Sequence, residues 1–185
     1  MTEVRHLSTV ELDTHLPQIR QSPADGGTLE LITRRPDVGE RVLLQVAELD
    51  AEQGLQGDNW ITRGQSKTPP QAPNPDAQLT LMNARSAQAV SGSRQRWPLA
   101  GDQLYVELDM SVENLPTGAR LSIGSAIVEI TAEPHPGCKK FVERFGMDAM
   151  LWVNSEEGKQ LRLRGVNTRI VQSGTIHVGD TITKV

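Results

Sequence analysis

The sequence predicts a mainly β fold, a closed or nearly closed β-barrel with a few short peripheral helices. Three observations predict it. Short apolar runs rich in Val, Ile, Leu and Thr recur along the chain, bounded by Gly, Pro and Asp. Gly-Asp pairs at 57–58, 101–102 and 179–180 each precede an apolar side chain within two residues, as turns entering strands do. The aromatic content is only three Trp, two Phe and one Tyr, so the core is expected to be aliphatic and branched, which suits a pleated wall.

At 185 residues the chain can bury one sizeable core, and it is read as one domain: a helical extension over 1–27 and a barrel core over 28–185. In the extension, Ser8 with Glu11 three residues on forms a capping-box pattern. Leu12, Leu16 and Ile19 follow at helical spacing, so a helix is expected over 8–20, bent at Pro17. Ser22–Gly27 is a turn cluster. Thr28–Thr33 then alternates as a half-buried strand, and Arg41–Leu49 reads as one strand apolar enough to sit centrally.

Residues 50–78 change character, with Pro69, Pro70, Pro73 and Pro75 and almost no apolar content, which predicts a long irregular loop. Gln78–Asn83 resumes a strand and 83–91 reads as a short helix. Gln103–Asp109, Arg120–Gly124 and Ala126–Thr131 are strands, the last two paired about a Gly-Ser turn. Ala149–Val153 fits helix or strand. Val166–Val171, Gly174–Val178 and Asp180–Val185 close the chain as strands.

Composition excludes several function classes. A net charge of −4 argues against nucleic acid as the main partner. There is no apolar run of about 18 residues and no signal-like start, so no membrane segment is expected. One cysteine forms no internal disulfide, which fits a reducing compartment and points to the cytoplasm.

That cysteine, Cys138, is where the chemistry concentrates. It follows Pro134-His135-Pro136-Gly137, which ends an apolar run. It precedes Lys139–Phe145, where Phe141, Val142 and Phe145 share a helix face and Gly146 is placed as the cap. A thiol at such a helix start, with Lys139, Lys140 and Arg144 close in sequence and His135 three residues upstream, is expected to be exposed and nucleophilic. A buried, inert cysteine is the alternative, but Pro, Gly and Lys are not core neighbours.

The order of landmarks, Gly57-Asp58, Gly101-Asp102, Glu113-Asn114-Leu115-Pro116, Pro136-Gly137-Cys138, Arg164-Gly165 and Gly179-Asp180, resembles the MOSC domain found at the C-terminus of molybdenum cofactor sulfurases. The resemblance runs from about residue 28 to the end, with the N-terminal helix similar to an extension of small stand-alone bacterial members. It implies a barrel like that of pyruvate kinase and a cysteine suited to sulfur transfer or molybdenum ligation. In members that bind the cofactor, the matching cysteine contacts molybdenum, a role carried here to Cys138 alone. Larger relatives add a pyridoxal-phosphate-dependent desulfurase or a second β-rich domain. Neither fits 185 residues, and no Lys has a pyridoxal setting. Sulfur would then come from another protein, such as a cysteine desulfurase, and the acceptor would be a molybdoenzyme or redox partner. The resemblance therefore suggests sulfur transfer or a component of a molybdenum-dependent reductase.

A molybdopterin site needs a soft thiolate for the metal and cations for the phosphate. Candidates for the phosphate are Arg63, Lys67, Lys139, Lys140, Arg144 and Arg164. Asn83, Asn114 and Asn167 are candidates for hydrogen bonds to the pterin. Other readings fare worse. Cys138 could pair with His135 or His177 for nucleophilic catalysis, but no such family signature surrounds them. His135-x-x-Cys138 could give two zinc ligands, but no second pair follows at metal spacing. The reading from a different class is a non-catalytic adaptor that binds a protein partner through the 50–78 loop, with the thiol incidental.

Overall fold

The computed structural model describes residues 5–63 and 72–185. In chain order the elements are α1 (Thr9–Asp13), α2 (Leu16–Ile19), β1 (Gly27–Arg34), β2 (Val42–Leu44), β3 (Val46–Asp50), β4 (Gly54–Leu55) and α3 (Trp60–Arg63). A 3-10 turn at Pro75–Ala77 leads to β5 (Leu79–Asn83), α4 (Ala84–Ser91), a 3-10 helix at Arg94–Ala100 and β6 (Leu104–Glu107). The hairpin β7 (Arg120–Ile123) and β8 (Ala126–Ile130) precedes α5 (Lys139–Phe145), α6 (Met147–Asn154) and α7 (Glu156–Gln160). The strands β9 (Val166–Gln172), β10 (Gly174–His177) and β11 (Thr181–Lys184) complete the fold.

Seven strands close on themselves in the order β11-β7-β8-β9-β5-β6-β1, and β1 pairs back to β11 through Gly27↔Ile182 and Thr28↔Thr181. Closure removes the exposed edges that an open sheet would present. Within the barrel only β5 and β6 run parallel, and the α4 to 3-10 segment makes their crossover. The strand alternation serves two cores. Leu81, Leu104 and Val106 fill the barrel, while Met82 and Tyr105 face the helices with Leu12, Trp97, Phe141, Phe145 and Trp152. In β1 the register shifts between Leu29 and Leu31. That bulge at Glu30 turns Leu31 outward to the helical core although Leu29, two residues earlier, faces the barrel.

The N-terminal helix divides into α1 and α2, with the Ser8–Glu11 capping box formed and Pro17 in the first turn of α2. Two expectations are corrected. The 41–49 run is not one central strand: β2 pairs only with β1 outside the barrel, and β3 joins β10 and β4 in a separate sheet. Leu43 stands 58% exposed as a result. The 50–78 stretch is not irregular throughout, since β4, α3 and the 75–77 turn occupy its described part and Trp60 is buried. Residues 64–71 of this stretch lie outside the described residues. Helix reaches about 29% against about 30% strand, because α6, α7 and the 94–100 segment add to the three helices expected from sequence.

Candidate functional site

The site is built where the β8-to-α5 connection crosses the Gly101-Asp102 turn. Asn167, on β9, donates through Nδ2 to the carbonyls of Glu133 (3.2 Å) and Pro134 (3.0 Å). Asn154, at the end of α6, accepts from the Gly137 N–H at 2.8 Å and donates to the Gly137 carbonyl at 3.1 Å. A Cβ at Gly137 would lie 3.0 Å from Val153 Cγ2, so any larger residue there would have to push the α6 side chains aside by a few tenths of an ångström. The two amides clamp an otherwise unpaired stretch of backbone from both ends.

Cys138 emerges from this clamp as the N-cap of α5 with extended backbone (φ −121°, ψ 179°), and its thiol caps nothing. It is exposed. Phe141 and Phe145, 2% and 1% exposed, anchor α5 to the helical core with ring centroids 4.8 Å apart. Lys139 and Lys140 are exposed in its first turn. Arg144 sits at the opposite end and donates to the Leu99 carbonyl at 2.6 Å.

Beside the thiol loop lies a buried charge chain. His135 Nε2 is 2.7 Å from Asp102 Oδ1, and Arg164 Nη1 donates to Asp102 Oδ2 at 2.6 Å. Arg164 also donates to the Ala100 carbonyl and lies over the Phe141 ring at 5.2 Å. Asp102 is fully buried. Burial opposes its charge, but the Arg164 guanidinium and then His135 outweigh burial and hold its carboxyl well below the usual carboxylate range. An ionised carboxylate only accepts, so His135 must carry its proton on Nε2, leaving Nδ1 as the basic nitrogen. Burial and the Arg164 charge push the His135 pKa down, against the pull of Asp102.

A second chain ties the two Gly-Asp turns together. Arg35 grips Asp58 in a bidentate pair, with Nε to Oδ2 and Nη2 to Oδ1 both 2.9 Å, and donates through Nη1 to the Gly101 carbonyl at 3.0 Å. Around the same glycine stand Arg41 and Arg144, whose guanidiniums find backbone carbonyls but no carboxylate among the described residues. Burial, then the nearby Arg144 and Arg35 charges, lowers the Arg41 pKa. An anion would relieve that repulsion.

The candidates read from sequence are therefore scattered. Cys138, His135, Arg164 and Asn167 converge. Asn83 is buried as the cap of α4, accepting from Ser86 N–H and donating to Ser22 Oγ and the Leu108 carbonyl. Asn114 spans the Ala24 and Asp109 carbonyls and accepts from Lys184 Nζ at 2.8 Å. The polar atoms of both are committed to holding turns. Lys67 and the Arg63 side chain lie outside the described residues. Sequence reasoning missed Asp102, Arg35, Asp58, Arg41 and Asn154. The Gly-Asp pairs are visible in the sequence as turns and as landmarks of the resemblance, but nothing in them marks Asp58 and Asp102 as partners of buried cations. Among the described residues no group of three or more His, Cys, Asp or Glu could hold a metal, and no helix is long and apolar enough to cross a membrane.

A family model described as the MOSC domain matches residues 69–183, more than half of the chain. The chain belongs to the MOSC domain family. The family is associated with molybdenum cofactor and sulfur chemistry. Among solved structures, this MOSC protein is similar to the YuaD protein from Bacillus subtilis (TM-score 0.60, 16% identity, 85% of this chain and 94% of that one). It is also similar to YiiM from Escherichia coli (0.55, 16%, 85% and 69%) and to YiiM from Geobacillus stearothermophilus (0.56, 13%, 86% and 75%). At these identities the likeness is one of fold. No curated protein matches the chain.

Proposed function

We propose that this MOSC protein binds the molybdenum cofactor, with the Cys138 thiolate as the protein ligand to the metal and His135 as the proton-handling group. The observation that carries this reading is the exposed, uncapped thiol held by the Asn154 clamp three residues after a His135 oriented by buried Asp102. The residues present fit the cofactor. A thiolate is a soft ligand of the kind such metals take. Arg41 and Arg144 lack carboxylate partners among the described residues and suit an anionic phosphate, and Arg164 Nε is buried without a hydrogen-bond partner.

When bound, the molybdenum centre supplies two-electron redox chemistry. The chain's own part is positional and protonic. Arg164 keeps Asp102 ionised, Asp102 fixes the His135 ring through Nε2–H, and the depressed proton affinity keeps His135 neutral near pH 7, so Nδ1 is free to accept a proton. Asn167 and Asn154 hold the loop that spaces His135 from Cys138.

The exposure of Cys138 also favours a second reading, a persulfide carrier. Its thiolate would attack the outer sulfur of a desulfurase persulfide, forming a new S–S bond as the donor thiolate leaves. The test is expression in a host that makes the cofactor, followed by molybdenum and pterin analysis of the purified protein. Co-purification of both with wild type, and a lower molybdenum-to-protein ratio in Cys138→Ser, supports the ligand role. Absence of pterin and metal, with a one-sulfur mass gain after incubation with a desulfurase and cysteine, replaces it with the carrier role.

A further inference from the structure

A cavity of about 330 Å³ opens beside the thiol loop; His135, Asn154 and Asn167 of the site described above line one side of it, and Lys159 and Arg162, which that site does not use, line another. Pro134, His135 and Pro136 form one wall, Val153 and Val166 add apolar surface, and Lys159 and Arg162 bring charge. Arg162 is unusual in two ways. Among the described residues it is the one non-glycine with a left-handed backbone, at φ 49°. Such a conformation costs an L-residue roughly 1–2 kcal/mol and persists where the surroundings impose it. Here the Arg162 N–H donates to the Lys159 carbonyl and its own carbonyl accepts from Gly165, so the turn between α7 and β9 fixes it.

The second feature is electrostatic. Arg162 is half-buried, donates through Nη1 to the Leu115 carbonyl, and has no carboxylate ion-pair partner among the described residues. An arginine does not escape burial by losing its proton, so this cation pays desolvation without a counter-charge. Burial alone lowers its pKa. Lys159, exposed at the rim, likewise has no ion-pair partner among the described residues. Glu133 brings the one carboxylate in the wall, so the two cations leave the cavity net positive.

We infer that this cavity is a binding site for a small organic anion, with a carboxylate or similar oxyanion on Arg162 and a flat apolar body against Pro134, Pro136 and Val166. The identification of that anion as the substrate of the centre at Cys138 rests on the proposed function. The binding itself does not. A charge-assisted hydrogen bond contributes about 1.5–3 kcal/mol, which amounts to at least tenfold in affinity.

The probe is benzoate, compared with benzamide and benzylamine as neutral and cationic analogues, titrated into the full chain and followed by backbone amide NMR. Benzoate is expected to shift amides at 153–154 and 162–167 and to bind at least about tenfold tighter than benzamide, with benzylamine weakest. Arg162→Asn, a residue that tolerates the left-handed backbone, should erase the preference, and Lys159→Gln should weaken it less. Equal binding of benzoate and benzamide by wild type, shifts confined to other residues, or an unchanged preference in Arg162→Asn would each overturn the proposal. If Arg162→Asn does not fold, the wild-type comparison decides alone. Cys138→Ser should bind benzoate as wild type does, so loss of the cysteine reading and loss of this one give different results.

Discussion

Replacing Asp102 by Asn removes the carboxylate shared by His135 and Arg164 while keeping its shape. Both oxygens are used, at 2.7 Å to His135 and 2.6 Å to Arg164, in a side chain with no exposure, and the Arg164 side chain is 9% exposed. A guanidinium left buried without its partner costs about 3–5 kcal/mol. For a chain of this size about 1 kcal/mol moves the melting temperature by roughly 2–4 °C, so a fall on the order of 10 °C is expected. Arg164→Met alone leaves the Asp102 carboxylate buried with the N–H of a neutral His135 as its remaining side-chain partner and should also destabilise substantially. The double variant should lose clearly less than the sum of the singles, with a coupling of about 2–3 kcal/mol, because neither charge is then stranded. Urea unfolding of the four proteins gives the cycle, provided the denaturant slope is unchanged. Singles that add within about 0.5 kcal/mol, or an Asp102→Asn as stable as wild type, would refute the buried charge chain.

Lowered pH tests His135. Its proton affinity is depressed in the fold, so between the ordinary histidine pKa of about 6.5 and the lower folded value the unfolded chain binds more protons. Stability from this group is present above that range and is lost as pH falls through it; His135→Gln should flatten the decline in urea midpoint on going from about pH 7.5 to about pH 5.5. Phe141→Ala should cost about 3–5 kcal/mol, because a side chain 2% exposed anchors α5 and carries Arg164 on its ring. Thermal melting checks this, and a loss under about 1 kcal/mol would contradict the packing. Gly165→Ala should cost at least about 2 kcal/mol, since its Cβ would lie 2.3 Å from the Leu81 carbonyl at a φ of 104°. An alanine variant as stable as wild type would place Gly165 wrongly.

What the sequence shows of this molecule is what neighbours along the chain determine. Ser8 and Glu11 find each other within one turn, and the β7–β8 hairpin closes around Gly124-Ser125, so both are legible. The helix after Cys138 was visible for the same reason, because Phe141 and Phe145 share one face. The 41–49 run is apolar enough to read as one strand, but the chain changes sheets at Gln45, whose carbonyl accepts from Val178. Nothing local marks that departure. Helix α7 contains Gly158, which argues against helix in sequence, yet a Cβ there would lie 2.3 Å from the Trp152 carbonyl, so packing demands the glycine. The site divides in the same way. Cys138 and His135 stood out by composition, whereas Asp102 and Arg164 meet across 62 positions and Asp58 and Arg35 across 23. A Gly-Asp pair looks like a turn whether or not its carboxylate holds a buried cation. Asn83 and Asn167 look alike in sequence. Only the fold assigns one to a helix cap and the other to the loop before the thiol.

The measurement that bears most directly on the ligand role of Cys138 is molybdenum X-ray absorption of cofactor-loaded protein, comparing wild type with Cys138→Ser at equal metal content. An additional sulfur scatterer at bonding distance in wild type, lost in the serine variant with the fold unchanged, is the result this account predicts. Identical sulfur shells in the two proteins would contradict it.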